Sequence, residues 1–153
     1  MKFVLIRNLL ILISLFNVGF GIWVMIDPVQ VMLWMLEMQN SAVPPVDAIQ
    51  PATKGEFRAV LGGLVMTLGL VTLRCLWSPI YAAWLQPLAW CFLGLALGRF
   101  SSLLLDGISN YTIIAASAEV GTSWMLGVHS QRLLSAQEHE DEELEEEEFE
   151  EEF

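Results

Sequence analysis

The chain has 153 residues, of which 55% are hydrophobic, and its mean hydropathy of +0.55 is too high for an ordinary soluble domain of this size. The formal net charge of −11 misrepresents the body of the chain, because residues 137–153 contain twelve of the eighteen acids. The remainder, 1–136, has seven basic and six acidic residues and no basic patch of the kind that binds nucleic acid. These properties exclude a nucleic-acid-binding protein and predict an integral membrane protein.

Four apolar segments each have the length of about 20 residues that a helix needs to cross a bilayer. They are residues 3–26, 57–76, 80–105 and 111–134, and together they predict an all-α four-helix bundle that occupies residues 1–136. A signal peptide is the alternative for the first segment, because basic residues precede the apolar run. The run continues to residue 26 without a clear Ala-x-Ala cleavage site, which favours an uncleaved span.

Two local patterns predict where helices begin. Asp27 followed by Pro28 is typical of a helix start, and it predicts a short helix that ends near Met38. This helix is too short to span and too apolar for a solvated loop, so we expect it along the membrane interface. Thr53 and Glu56 have the spacing of a capping box, which predicts that they cap the second span.

The acidic segment 137–153 is predicted to be a disordered tail, because like charges repel and remain solvated. Leu144, Phe149 and Phe153 interrupt the acids at spacings of five and four. One hypothesis is that the tail docks on a basic partner, with these three side chains as anchors and the acids as steering charges. The other is an electrostatic bristle that keeps the C-terminus away from anionic lipid and other proteins.

The basic residues predict the orientation in the membrane. Lys2, Arg7, Arg74 and Arg132 lie on one side of the four-span arrangement, and Lys54 is the exposed basic residue on the other side. Because cytoplasmic loops carry the excess of Lys and Arg, both termini are predicted to be cytoplasmic.

Charged and amide side chains lie inside the spans, where a charge facing lipid would be costly. A rise of about 1.5 Å per residue places Asn17, Arg58, Arg99 and Glu119 in the outer half of the membrane, one on each span. Asp106 shares a helix face with Arg99. These five residues form the predicted polar cluster. It is either an ion-paired network that fixes helix register, or an outward-open pocket for an anionic or zwitterionic headgroup or a small molecule.

Small residues recur along the spans and predict where helices approach closely. The predicted packing glycines are Gly62 and Gly69 on the second span, Gly94 and Gly98 on the third, and Gly121 on the fourth. They serve either the packing of the bundle itself or, most plainly for the Gly94-x-x-x-Gly98 pair, an interface between copies.

Three sequence elements occur together in an order that resembles a known family. They are Asp27-Pro28 after the first span, Glu56-x-Arg58-Ala59 in the second, and Gly98-Arg99 with Asp106-Gly107 in the third. In combination, over roughly residues 5–130, they resemble a bacterial family of small four-span membrane proteins catalogued as domain of unknown function 4345. The resemblance implies a four-helix integral membrane fold, and it implies no activity, substrate or cofactor. We expect a multi-pass protein of the bacterial inner membrane.

The remaining chemistry-bearing residues predict no cofactor, no metal site and no catalytic residue. Cys75, Cys91, His129 and His139 lack metal-ligand spacing, and no nucleotide-binding or nucleophile motif occurs. We therefore expect a non-catalytic membrane subunit or binding protein whose partners are membrane lipids and other membrane proteins or further copies of itself. The alternatives are a small transporter or oligomeric channel that uses the polar cluster as its binding site, and an intramembrane enzyme acting on lipid-linked substrates.

Overall fold

The computed structural model describes the backbone of residues 2–151, and the side chains of these residues except Lys2, Pro79 and 140–151. All regular structure among the described residues is helical, so the predicted all-α class is confirmed. The α-helices are α1 (Lys2–Ile26), α2 (Pro28–Met38), α3 (Pro51–Phe57), α4 (Val65–Trp77), α5 (Leu85–Leu105) and α6 (Asn110–Glu151). A π-helical segment, Arg58–Leu64, joins α3 to α4, and 3-10 turns cover Val46–Ala48 and Pro79–Trp84.

Three helices among the described residues are long and apolar enough to cross a membrane: Phe3–Ile26, Pro51–Trp77 and Ile80–Leu105. Between 22% and 33% of their apolar windows is buried inside the protein, so most of these side chains face outward, as they do in contact with lipid. The fourth predicted span, 111–134, lies within α6 and is not among the three. Glu119 and several Ser, Thr and Gly residues reduce its mean hydropathy.

The start of α2 follows the prediction, whereas the start of the second span does not. Asp27 is the N-cap of α2, its Oδ1 accepts a hydrogen bond of 3.1 Å from the Gln30 backbone N–H, and Pro28 is the first helical residue. The prediction that Thr53 and Glu56 cap the second span is wrong. The helix begins earlier, at Pro51, because proline at a first helical position has its φ already set and needs no N–H partner.

Helix α6 extends beyond the predicted end of the fourth span and reaches Glu151. This differs from the disordered tail predicted from residue 137. Glu and Leu have high helix propensity, and a segment that prolongs an existing helix avoids the cost of nucleation. The side chains of Leu144 and Phe149 lie outside the described residues, and Phe153 lies outside them altogether.

The four long helices associate as two pairs. Helix α1 packs along α4 and the π-helical segment, and α5 packs along α6. Glycines allow the first pair to approach closely: a Cβ on Gly21 would lie 2.7 Å from the Gly62 carbonyl oxygen, and a Cβ on Gly69 would lie 2.7 Å from the Ser14 carbonyl oxygen. Backbones this close maximise van der Waals contact between helices.

The two pairs bury their shared apolar side chains toward the end of the bundle where Ser78 connects α4 to the third span. We call this the Ser78 end, and the opposite end, where α1 meets α2, the Asp27 end. Leu10, Leu85 and Leu126 are fully buried at the centre of this core, and Leu76 and Leu88 pack with them. Toward the Asp27 end the core gives way to a cavity between the pairs.

Candidate functional site

The cavity between the helix pairs has a volume of ≈ 820 Å³, within the usual range of about 300–1,000 Å³ for small-molecule sites. Side chains from all four long helices and from α2 form its wall. Most of the lining is apolar and includes Leu12, Phe16, Leu68, Phe92 and Met125. Such a wall suits a largely hydrophobic occupant.

Two charged side chains from adjacent helices meet in the wall of this cavity. Arg99 Nε donates to Glu119 Oε1 at 2.7 Å, which joins α5 to α6. The Arg99 side chain is 32% exposed and that of Glu119 is 13% exposed, so the carboxylate is the more buried partner. The second oxygen of this carboxylate, Oε2, is buried and has no hydrogen-bond partner among the described residues. Buried polar atoms are normally hydrogen-bonded, so a buried carboxylate oxygen without a partner is unusual.

Three further polar residues line the same cavity as this ion pair. Asn17 contributes to the cavity wall from α1, and the Tyr111 ring lies 5.8 Å from Arg99 Cζ, a cation–π distance. Thr122 also lines the cavity, but its hydroxyl donates to the Ala118 carbonyl at 2.8 Å. Polar groups that fix orientation in a mostly apolar cavity are the usual composition of a ligand site.

Helix α2 covers the cavity at the Asp27 end. Trp34, Met35 and Met38 line the cavity there, and Trp34 also contacts Trp23 of α1 with ring centroids 5.7 Å apart. The interfacial location of α2 stays a prediction, whereas the structure shows its apolar side chains as part of the cavity wall. Methionine is flexible and polarisable, so this part of the wall can adapt to different occupants.

The predicted polar cluster divides, because two of its five members lie elsewhere. Arg58 Nε donates at 3.1 Å to the Met25 carbonyl, one of the carbonyls at the C-terminal end of α1 that lack a partner within the helix. Asp106 Oδ2 accepts from Ser102 Oγ at 2.7 Å within the last turn of α5. Both side chains are exposed at the Asp27 end. Asn17, Arg99 and Glu119 remain together in the cavity.

The predicted packing glycines also divide. Gly62 and Gly69 contact α1, whereas Gly94, Gly98 and Gly121 have open space where a Cβ would be, with no atom of the described residues within 4 Å. Ala96 of α5 and Ala116 of α6 are fully buried instead. Hydrogen bonds also join α6 to the third span. Ser123 Oγ donates to the Ala89 carbonyl at 2.8 Å, and Ser130 Oγ donates to the Ala82 carbonyl at 3.2 Å.

Several cavity residues were missed by sequence reasoning. These residues belong to no sequence motif, and only their position on the lining face distinguishes them from other residues of the same helices. They are Trp34, Met38, Tyr111 and Thr122. No group of three or more His, Cys, Asp or Glu that could hold a metal occurs among the residues searched, which are the described ones. The groups that the cavity offers for binding and orienting a ligand are the Arg99–Glu119 ion pair, the Asn17 amide and the Tyr111 ring.

The fold and this cavity define an all-α protein of membrane type, with three membrane-length helices and an apolar site that contains a partly buried ion pair. The chain belongs to the family described as Domain of unknown function (DUF4345), whose model matches residues 5–126. The match includes α1 to α5 and the part of α6 that carries Glu119. No curated protein and no solved structure matches the chain.

Proposed function

We propose that this protein is a non-catalytic, membrane-embedded binding protein that holds an amphiphilic molecule between its two helix pairs. The observation that carries the proposal is the ≈ 820 Å³ cavity, apolar over most of its wall, with the Arg99–Glu119 pair partway along it. The apolar wall provides affinity for a hydrocarbon chain, and the ion pair provides partners for a polar group.

In this proposal α6 is a fourth span. Three of its hydroxyl groups donate inside the protein: Thr122 donates within the helix, and Ser123 and Ser130 donate to the third span. Its outward face is apolar, with Ile114 70% and Trp124 62% exposed. Hydroxyl groups that are hydrogen-bonded inside the protein let a helix cross a membrane at a lower mean hydropathy than a fully lipid-exposed helix requires.

We further propose that the protein lies in a bacterial inner membrane with the Ser78 end toward the cytoplasm. Arg7, Arg74 and Arg132 belong to this end, in agreement with the positive-inside rule. Trp77 and Trp84 are 67% and 60% exposed beside them, as expected for side chains at a membrane interface.

Membrane lipids are the proposed partners of the outward apolar faces, and other membrane proteins or further copies are proposed partners of the open Gly94 and Gly98 face. A transporter is less well supported by the geometry. A transport pathway would have to pass the Ser78 end, where Leu10, Leu85 and Leu126 are fully buried in the core. The cavity is therefore better suited to holding a ligand than to conducting one.

Photo-crosslinking tests this proposal. The full-length protein is reconstituted in phosphatidylethanolamine/phosphatidylglycerol vesicles that contain a phospholipid with a diazirine in its acyl chain, and adducts are mapped by mass spectrometry. We expect adducts on cavity residues such as Leu68 and Met125 in addition to adducts on outward residues such as Ile114.

Cavity filling provides the matched comparison. Ala115 lines the cavity, whereas Ser117, two residues further along α6, is exposed outside it. Ala115→Trp should abolish the adducts on Leu68 and Met125, and Ser117→Trp should leave them unchanged. Adducts confined to outward residues in the unmodified protein would contradict the proposal.

A further inference from the structure

The polar part of the cavity has a charge and hydrogen-bond pattern that specifies a headgroup class. On the basis of the proposed binding function, we infer that the site selects a single-chain-sized zwitterionic lipid whose headgroup combines a phosphate with a primary ammonium. The phosphate lies against Arg99, and the ammonium lies against the free oxygen of Glu119.

The first argument is charge balance. Arg99 and Glu119 neutralise one another, and Asn17 adds no charge, so the described cavity wall is neutral overall. A buried site of low polarity penalises an uncompensated charge strongly. A ligand with net charge would leave the occupied cavity with that charge, whereas a zwitterion leaves it neutral.

The second argument is the set of hydrogen-bonding groups that remain. Glu119 Oε2 is buried and has no partner among the residues that the structure describes, and as a carboxylate oxygen it accepts hydrogen bonds and cannot donate them. Arg99 uses Nε for the ion pair, and its terminal Nη groups have no protein acceptor among the described residues. The site therefore presents one buried acceptor beside several unused donors of a guanidinium, the group that suits phosphate geometry.

These two arguments distinguish common headgroups. An ethanolamine headgroup carries a primary ammonium that donates to Glu119 Oε2 and a phosphate that accepts from Arg99. A choline headgroup has the same net charge, but its trimethylammonium has no N–H to donate. A glycerol headgroup has hydroxyl donors, but with its phosphate it has a net negative charge that the neutral wall does not balance.

Native mass spectrometry of the full-length protein in a mild detergent tests the inference. The probes are lysophosphatidylethanolamine, lysophosphatidylcholine and lysophosphatidylglycerol with the same acyl chain, each added at the same concentration. We expect retention of the ethanolamine lipid to exceed that of the choline lipid by about tenfold, the ratio that one charge-assisted hydrogen bond supports. Soluble glycerophosphoethanolamine, which has no acyl chain, should not be retained, because the apolar wall then contributes nothing.

Glu119→Gln provides a matched variant, because glutamine keeps an oxygen that can accept from Arg99 Nε while removing the negative charge. The wall then carries a positive charge, so the preference should shift from ethanolamine to the anionic glycerol headgroup. Asp106→Asn also removes one carboxylate charge, but Asp106 lies outside the cavity. The lipid preference of this variant should therefore stay that of the unmodified protein.

The outcomes separate this inference from the proposed function. Equal retention of the ethanolamine and choline lipids by the unmodified protein, or best retention of the glycerol lipid, would overturn the headgroup assignment while leaving a lipid-binding cavity. If the unmodified protein retained all three lipids no better than the Ala115→Trp variant does, the binding function itself would be overturned. The comparison among the three lipids needs no variant, so it does not depend on whether Glu119→Gln folds.

Discussion

Arg99 and Glu119 are twenty residues apart in the sequence, and their ion pair of 2.7 Å fastens α5 to α6 at the wall of the cavity. The pair is asymmetric, because Arg99 is 32% exposed whereas Glu119 is 13% exposed and has one oxygen without a partner in the described part of the chain. Breaking the pair from one side is therefore not equivalent to breaking it from the other.

We predict that Arg99→Leu lowers thermal stability in detergent more than Glu119→Leu does. Removing Arg99 leaves a carboxylate in a buried position, a situation that costs up to about 3–5 kcal/mol. Removing Glu119 leaves an arginine that can still reach the outside of the cavity. The double variant should recover part of the loss, and thermal unfolding of all four proteins gives the coupling energy. Losses that simply add would show that the two side chains do not interact.

The second prediction concerns glycines that differ in the space around them. A Cβ on Gly69 would lie 2.7 Å from the Ser14 carbonyl oxygen, so Gly69→Ala forces α1 and α4 apart and should cost about 1–3 kcal/mol. Gly98 has nothing within 4 Å, so Gly98→Ala should leave stability unchanged or raise it by up to about 1 kcal/mol through helix propensity.

Gly62→Ala should have an intermediate effect, because the atoms 3.0 Å from its Cβ position belong to the flexible Met25 side chain. Thermal unfolding in one detergent ranks the three variants. A loss of stability in Gly98→Ala comparable to that in Gly69→Ala would contradict this packing. If Gly98→Ala also changed the mass of the protein in solution, that change would indicate that copies of the chain meet at this face.

The third prediction distinguishes three spans from four. With α6 as a fourth span, fusion points after Gly107 and after Phe153 lie on opposite sides of the membrane. Alkaline phosphatase, which is active outside the cytoplasm, should be active after Gly107, and green fluorescent protein should fluoresce after Phe153. If α6 does not cross, both positions lie on the same side of the membrane, so only one of the two fusions will be active.

The fourth prediction concerns the acidic extension of α6. Truncation after His139 keeps Gln137 and His139, both of which interact with other residues, and removes most of the acids. We expect thermal stability to change by less than about 0.5 kcal/mol, as for surface changes away from packed features. A large loss would show that the extension contributes to the fold of the bundle.

The same truncation distinguishes the two hypotheses for the extension. If the extension docks on a basic partner, truncation should abolish co-purification of that partner. Phe149→Ala combined with Phe153→Ala should do the same without a change of net charge. If it acts as an electrostatic bristle, any co-purifying protein will be retained in both variants.

The ion pair could be predicted from the sequence, because helix depth alone places Arg99 and Glu119 at similar levels on adjacent spans. The other charged members of the predicted cluster, Arg58 and Asp106, lie outside the cavity because each has a partner close by. Arg58 lies close enough to the end of α1 to donate to the Met25 carbonyl, and Asp106 has a neighbouring hydroxyl in Ser102. Depth in the membrane does not determine which side of a helix such a residue occupies.

The π-helical segment explains why the small-residue face of the second span could be predicted only in part. Periodicity places Gly55, Ala59, Gly62 and Gly69 on one face of a regular α-helix, but Gly55 and Ala59 are exposed while Gly62 and Gly69 contact α1. A π segment contains more residues per turn than an α-helix, so the faces before and after it are rotated relative to each other. No residue in Arg58–Leu64 signals that rotation.

Because the two helix pairs share most of their core at the Ser78 end, they act as two levers with a common pivot. The arm of α5 from Leu88 to Arg99 is about 16 Å long at the usual rise per residue, so a rotation of about five degrees widens the far end by roughly 1.5 Å. In the membrane location proposed above, lateral pressure from the bilayer acts on the outward faces of the same two levers. The proposed function therefore couples the width of the bound molecule to the tension of the membrane through one angle.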